Sequence, residues 1–331
     1  MTHSAGSAPR SDSALTLESV RRARELLRGI VPVSRMIAAE SLSGTSGARV
    51  SLKLESEGPM GSFKVRGAYH AIFRRKERGA LRGVVTSSTG NHGAAVAYAA
   101  KLLCVPARVY LPENPNPVKR ERIAQQGAEI VEAGTFLEAE RELAERFAKE
   151  SGWFNLVDGA EPELLPGTAA IGCEIAEQIP HLDAIIIPVG DSTLIRGIAF
   201  AAKQLRPEVK IIGVQAERAP AYALSFRKGR AVSTESSDTI ADGLAVRHAS
   251  ADNVREISAL VDDFIVVSEE EMLAAVRKLI LEEHVVAEPS GAAATAALLK
   301  SGGQFSGKTV VLLVTGANIP EDVLLRALQF S

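Results

Sequence analysis

The 331-residue sequence is poor in cysteine: Cys104 and Cys173 stand far apart, outside any Cys-x-x-Cys or Cys/His spacing. That excludes a disulfide framework, a dithiol redox pair and a zinc site, and both residues read as small buried hydrophobes. An excess of charge of one sign is also missing, since 38 Lys and Arg face 40 Asp and Glu. Without a basic field there is no support for nucleic-acid binding. Membrane-length apolar runs are absent, and residues 1–13 are small and polar, unlike a signal peptide. A membrane partner is therefore not expected, and a reducing cytoplasm is the default location. Heptads, internal repeats and low-complexity tracts are lacking too. What is present is 46% apolar and 24% charged residues, enough for a sizeable core in one or two α/β domains.

Along the chain, residues 1–14 read as a disordered tail. Leu17, Val20, Ala23, Leu26 and Leu27 recur at helical spacing, with Gly29 as a stop. Residues 50–54 alternate as a strand. From residue 84 a regular alternation sets in: strands over 84–87, 107–111 and 129–132, and helices over 94–103, 118–126 and 137–150. Longer elements repeat it, with strands over 184–188, 210–215, 264–267 and 310–314, and helices over 167–179, 195–205, 269–283 and 290–299. Strand and helix in turn imply parallel strands with helical crossovers, the doubly wound pattern. Residues 218–253 read as an irregular polar segment covering an opening between domains.

Two stretches carry chemistry. Gly58-Pro59-Met60-Gly61-Ser62-Phe63-Lys64-Val65-Arg66-Gly67 sets Lys64 between a glycine-rich turn and a helix, with Phe63 and Val65 beside it. A partly desolvated lysine favours the neutral amine, which attacks carbonyls and abstracts protons. In the second stretch, Thr86-Ser87-Ser88-Thr89-Gly90-Asn91-His92-Gly93 follows a short apolar strand and opens an Ala-rich helix. It aims backbone N–H groups and small hydroxyls at one point, a ready carboxylate or phosphate site. Either stretch alone would pass for an ordinary turn. Together they closely resemble the Schiff-base lysine segment and the asparagine-containing loop of pyridoxal-phosphate enzymes of the threonine dehydratase and serine racemase family.

Four further stretches, in the expected order, extend the resemblance over nearly the whole chain. Gly190-Asp191-Ser192-Thr193-Leu194 follows a strand and opens a helix, as the family's phosphate loop does, but replaces three of its usual four glycines. Asp191 is repulsive to a phosphate unless it turns away, and is expected to cap the helix itself with Arg196 offsetting its charge. Thr315-Gly316-Ala317-Asn318 resembles the segment whose hydroxyl meets the pyridine nitrogen. Glu288-Pro289-Ser290-Gly291 and Ala241-Asp242-Gly243 resemble the stretches flanking the ring. A Walker-A-like spelling, Gly302 to Thr309, leads into a strand rather than a helix, so its N–H groups point away from a phosphate.

The resemblance implies two doubly wound α/β domains with parallel sheets, like the tryptophan synthase β-subunit (fold type II). A larger cofactor domain is expected over 15–78 and 155–331 and a smaller one over 79–154. It implies pyridoxal 5'-phosphate as cofactor, with Lys64 and Thr89 catalytic. Phe63, Lys64, Asn91, Gly190, Asp191, Ser192, Thr193, Leu194, Gly243, Glu288 and Thr315 would bind the cofactor. Ser88, Thr89, Gly90, Asn91 and His92 would bind the substrate, His92 as a loop organiser. The expected reaction is an ammonia-lyase reaction on serine, threonine or a related β-hydroxy amino acid. Racemisation, β-replacement and a non-catalytic ligand-binding relative are the alternatives. Relatives often carry a divalent cation on acids just past the strand matching 210–214; Gln215 and Ala221 stand there instead, so no metal is expected. A homodimer is the expected assembly, and no feedback domain is expected after Thr315.

Overall fold

In the computed structural model, residues 15–88, 90–133 and 137–330 are described. The tail expected over 1–14 and the candidate catalytic Thr89 lie outside them. In chain order the elements are α1 (Leu17–Leu27), β1 (Met36–Ala38), α2 (Glu40–Ser46), β2 (Arg49–Leu54), α3 (Lys64–Glu77), β3 (Val84–Ser87), α4 (Asn91–Leu102) and β4 (Ala107–Leu111). There follow α5 (Pro117–Ala124), β5 (Glu129–Glu132), α6 (Leu137–Ser151), β6 (Phe154–Asn155), α7 (Leu165–Gln178), β7 (Ala184–Pro188), α8 (Thr193–Leu205) and β8 (Lys210–Ala216). The chain ends with α9 (Ala221–Lys228), α10 (Ala251–Leu260), β9 (Asp263–Val267), α11 (Glu269–Glu282), α12 (Pro289–Lys300), β10 (Thr309–Val314) and α13 (Glu321–Gln329).

The described strands form two sheets, a six-stranded one in the order β1-β2-β10-β7-β8-β9 and a four-stranded one in the order β5-β4-β3-β6. Every pairing is parallel except β1 with β2. Strand β10 shows why the larger sheet is covered on both faces. Val310, Leu312 and Val314 point into one hydrophobic cluster with α11 and α12, whereas Val311 and Leu313 point into another with α7 and α8. The small residues of α12, Ser-Gly-Ala-Ala-Ala-Thr, let it lie close across β7, β8, β9 and β10.

The segment 218–253 is less irregular than its sequence suggests, for α9 forms within it on buried Ala221, Tyr222, Ala223 and Ser225. Its later part, Asp242 and Gly243, does reach the opening between the sheets. Gly302–Phe305 is a 3-10 turn ahead of β10, so no helix follows the Walker-like spelling. Gln215 is buried; its Nε2 donates to the Val189 carbonyl at 3.2 Å and its Oε1 accepts from Ala223 N at 2.8 Å. Among the described residues, no helix is long and apolar enough to cross a membrane.

Candidate active site

The lysine turn is fastened to the end of β10. Phe63 N donates to the Thr315 carbonyl at 3.3 Å, Ala317 N donates to the Gly61 carbonyl at 3.0 Å, and Ser62 bridges Gly316. Met60 and Gly61 are both left-handed, with φ of 62° and 67°. A Cβ at Gly61 would lie 2.7 Å from Asn318 Oδ1, so the turn needs glycine both for its φ and for this approach. The reversal leaves Lys64 as the first residue of α3, its side chain directed into the opening between the sheets.

Across the opening, Gly90 (φ 149°) leads into α4. Ser88 Oγ accepts from Gly90 N at 2.9 Å and from Gly93 N at 3.0 Å, which shapes the turn and leaves its own proton to donate. His92 is buried with Nε2 against the Leu156 carbonyl at 3.1 Å. Burial above all holds its imidazole below the usual value, with the Lys64 ammonium adding to that and Asp158 opposing it. Asn91 Nδ2 donates to Glu288 Oε1 at 2.5 Å, and Asn318 Nδ2 donates to Asn91 Oδ1 at 2.7 Å, so the two sheets' loops are tied by one amide.

Phe63, Lys64, Asn91, Gly190, Asp191, Ser192, Thr193, Leu194, Gly243, Glu288 and Thr315 line one hollow. An adjoining one shares Lys64, Asn91, Asp191 and Gly243 with it and adds Ser88 and His92. Gly90 stands behind them, where a Cβ would come 2.2 Å from Lys119 Cδ. Apart from Gly90, the described candidates for cofactor and substrate binding thus line one cleft.

Three expectations fail in detail. Cys104 is exposed, in a left-handed turn just past α4 with φ of 53°, so only Cys173 is the buried hydrophobe expected. Lys64 is not isolated among apolar groups: besides the Phe63 ring, 5.0 Å from centroid to Nζ, its amine meets the Asp158 carboxylate. Nor does Asp191 cap α8, which has no side-chain cap. Its two oxygens lie 3.2 Å from Arg141 Nη2, while Arg196 is taken by Glu256. The acid turns toward α6, where a guanidinium offsets it. Burial raises the Asp191 carboxyl; Arg141 pulls it down and Asp158 pushes it up.

Three contributors escape the sequence motifs: Asp158, Arg141 and Lys119. Asp158 Oδ1 accepts from Thr193 Oγ1 at 2.6 Å and from Gly159 N at 2.9 Å, while Oδ2 faces Lys64. Burial alone would raise its carboxyl, but Lys64 first of all, with the Thr193 hydroxyl, holds it well below the carboxylate range. Lys119 Nζ lies 2.6 Å from Asp242 Oδ2 and 2.9 Å from Glu288 Oε2. Burial opposes its charge, and the two carboxylates overcome this and raise it. The only local signal was Asp158-Gly159, which reads as a turn.

The 190–194 turn fits a phosphate monoester. Ser192 takes a left-handed φ of 73°, and its buried Oγ has no hydrogen-bond partner among the described residues. The N–H groups opening α8 are free of side-chain caps and lie at the positive end of a 13-residue helix. Gly190 is needed because a Cβ there would sit 2.2 Å from the Gly243 carbonyl oxygen.

Comparison with known proteins gives the family and the fold. The family model described as pyridoxal-phosphate dependent enzyme matches residues 27–316. The chain is 34% identical to an L-threonine ammonia-lyase of Thermotoga maritima over 76% of its length, although it spans only 63% of that enzyme. It is 29% identical to a beta-hydroxyaspartate dehydratase of Paracoccus denitrificans, covering 93% of this chain and 98% of that protein. The structure of maize serine racemase superposes with a TM-score of 0.88 at 30% identity, covering 94% of this chain and 95% of that one. The fold is the tryptophan synthase β-like type, fold type II, with pyridoxal phosphate as cofactor. With Lys64, the loop around Asn91 and the 190–194 turn facing one cleft and the family match running over residues 27–316, the chain belongs to the pyridoxal-phosphate-dependent enzymes.

Proposed function

We propose that this enzyme is an ammonia-lyase acting on L-threonine, L-serine or a related β-hydroxy amino acid, releasing a 2-oxo acid and ammonia. One observation carries the reading: Lys64 stands in a single cleft between the Ser88–His92 turn and the phosphate-shaped 190–194 turn. Threonine ammonia-lyase and hydroxyaspartate dehydratase activities among its relatives support it. In this reading residues 15–78 and 155–331 form the cofactor body and 79–154 the smaller one.

When bound, pyridoxal phosphate supplies an electron sink for the pair released from the α-carbon. The chain supplies anchorage and aim. Lys64 Nζ would hold the cofactor covalently and, once displaced by the substrate amine, take the α-proton. Gly190, Asp191, Ser192, Thr193 and Leu194 would seat the phosphate, with Ser192 Oγ gaining the acceptor it lacks. Phe63, Gly243, Glu288 and Asn91 would border the ring, and Thr315 Oγ1 would offer its nitrogen a neutral hydroxyl. Ser88, Thr89, Gly90, Asn91 and His92 would hold the substrate carboxylate where α4 begins, His92 by keeping the turn in place. Thr89 is also the candidate for proton transfer on the face opposite Lys64.

The test is direct. Cofactor-loaded protein is given L-serine and L-threonine, and 2-oxo acid and ammonia are assayed alongside optical rotation. Stoichiometric 2-oxo acid and ammonia, lost in Lys64→Ala, support the lyase. Loss of rotation without 2-oxo acid replaces it with a racemase.

A further inference from the structure

Among the described residues of the cleft, four carboxylates, Asp158, Asp191, Asp242 and Glu288, face Lys64, Lys119 and Arg141. Three of the four have a cation that the chemistry leaves in place. Arg141 Nη2 is 3.2 Å from both oxygens of Asp191, and Lys119 Nζ bridges Asp242 and Glu288 at 2.6 and 2.9 Å. Asp158 differs. Its Oδ1 is fixed by Thr193 Oγ1 and Gly159 N, but Oδ2 is matched by Lys64, the one cation of the three whose nitrogen the reaction engages, first with the cofactor and then at the α-carbon.

We propose that Asp158 is a specificity-determining residue: with Lys64 held by the cofactor as the substrate enters and drawn to the α-proton afterwards, its Oδ2 accepts a hydrogen bond from the substrate's β-hydroxyl and turns away a carboxylate on the same carbon. The inference rests on the lyase reading above and narrows it to neutral β-hydroxy amino acids of the serine and threonine type. A side chain only 9% exposed cannot be satisfied by bulk water, so a hydrogen-bond donor is favoured there and a second anion is repelled. Arg141 does not compensate, because Asp191 occupies it, and His92, buried against Leu156, is held in its neutral form. Repulsion of this kind is discrimination against the wrong ligand, not tighter binding of the right one.

The test uses cofactor-loaded wild type, Asp158→Asn and Asp158→Glu with L-serine, L-threonine, threo-3-hydroxy-L-aspartate and L-2,3-diaminopropionate. Calorimetric binding of L-aspartate and L-alanine, which carry no β-leaving group, is measured in parallel. Wild type is expected to prefer serine or threonine over 3-hydroxyaspartate by about 100-fold in kcat/KM, and alanine over aspartate in Kd. In Asp158→Asn, relative to serine, 3-hydroxyaspartate gains about tenfold and 2,3-diaminopropionate loses, shifts of opposite sign that a purely structural defect does not produce. Asp158→Glu keeps the charge and the preference, and covers the case in which the asparagine variant does not fold. The proposal is overturned if wild type prefers 3-hydroxyaspartate or binds aspartate as well as alanine. It is likewise overturned if Asp158→Asn lowers every substrate equally with the aspartate-to-alanine ratio unchanged. If no substrate is turned over while the binding ratios shift as stated, the lyase reading fails and the role of Asp158 stands.

Discussion

The chain buries two clusters of charge within a few turns of each other, and they are built to opposite ends. In the first, Lys53, Glu55, Arg66 and Glu174 lie under α1 with side chains at most 4% exposed. Lys53 Nζ donates to three acceptors, Ser34 O at 2.9 Å, Glu174 Oε2 at 2.7 Å and Gln178 Oε1 at 2.9 Å. Arg66 reaches Glu55 at 2.9 Å and Glu174 at 2.7 Å. Every charge there has permanent partners from the fold. In the second cluster Lys64 and Asp158 satisfy each other only while the lysine nitrogen is free. Burial of charge alone therefore does not mark the site; a partner that chemistry can remove does.

The largest effects should separate the two clusters cleanly. Lys64→Ala is expected to lower 2-oxo acid production by at least about 10³-fold while lowering the urea midpoint less than Glu174→Ala does, since Asp158 keeps Thr193 Oγ1 and Gly159 N as donors. A similar activity loss accompanied by unfolding would place Lys64 with the structural cluster. Glu174→Ala should do the reverse. It strands Lys53 and Arg66, costing about 3–5 kcal/mol by denaturant titration, with kcat kept in whatever fraction remains folded. A cost under about 1 kcal/mol would mean that the network relaxes around the loss.

Smaller effects sharpen the contrast. His70 and His92 are buried, and burial first of all holds both below the ordinary value of 6.5. The unfolded chain thus binds more protons just below that value, so their contribution is complete above pH 6.5 and is lost as pH falls from 6.5 toward the folded values. Denaturant midpoints should decline over that interval, and a rise there would contradict neutral buried imidazoles. The smallest effect expected is from chelation. Gln215 closes on Val189 and Ala223 with both ends of its amide, so EDTA should leave turnover unchanged, and a large loss would show that a cation is needed.

What the sequence made legible follows from how local each feature is. Lys64, Asn91 and the 190–194 turn sit at strand-to-helix or turn-to-helix junctions, where glycines and small hydroxyls leave a readable trace over a few residues. The parallel sheets were legible for the same reason, from apolar runs alternating with helical periods. Strands β1 and β6, with three and two residues, were too short to show a period. Asp158, Lys119 and Arg141 were hidden because a lone charged residue looks the same on a surface and in a cleft. Their partners lie 94, 123 and 50 positions away, brought near only by the packing of the two sheets. Asp191 was read correctly as anomalous and given the wrong partner, since Arg196 is close in sequence and Arg141 is close in space.

The central claim is that the nitrogen of Lys64 is the cofactor's point of attachment. Protein loaded with pyridoxal phosphate, reduced with borohydride and digested, can be read by mass spectrometry for the lysine that carries the added pyridoxyl mass. The label is expected on Lys64 alone; a label on Lys119 or Lys53, or none, would contradict the account.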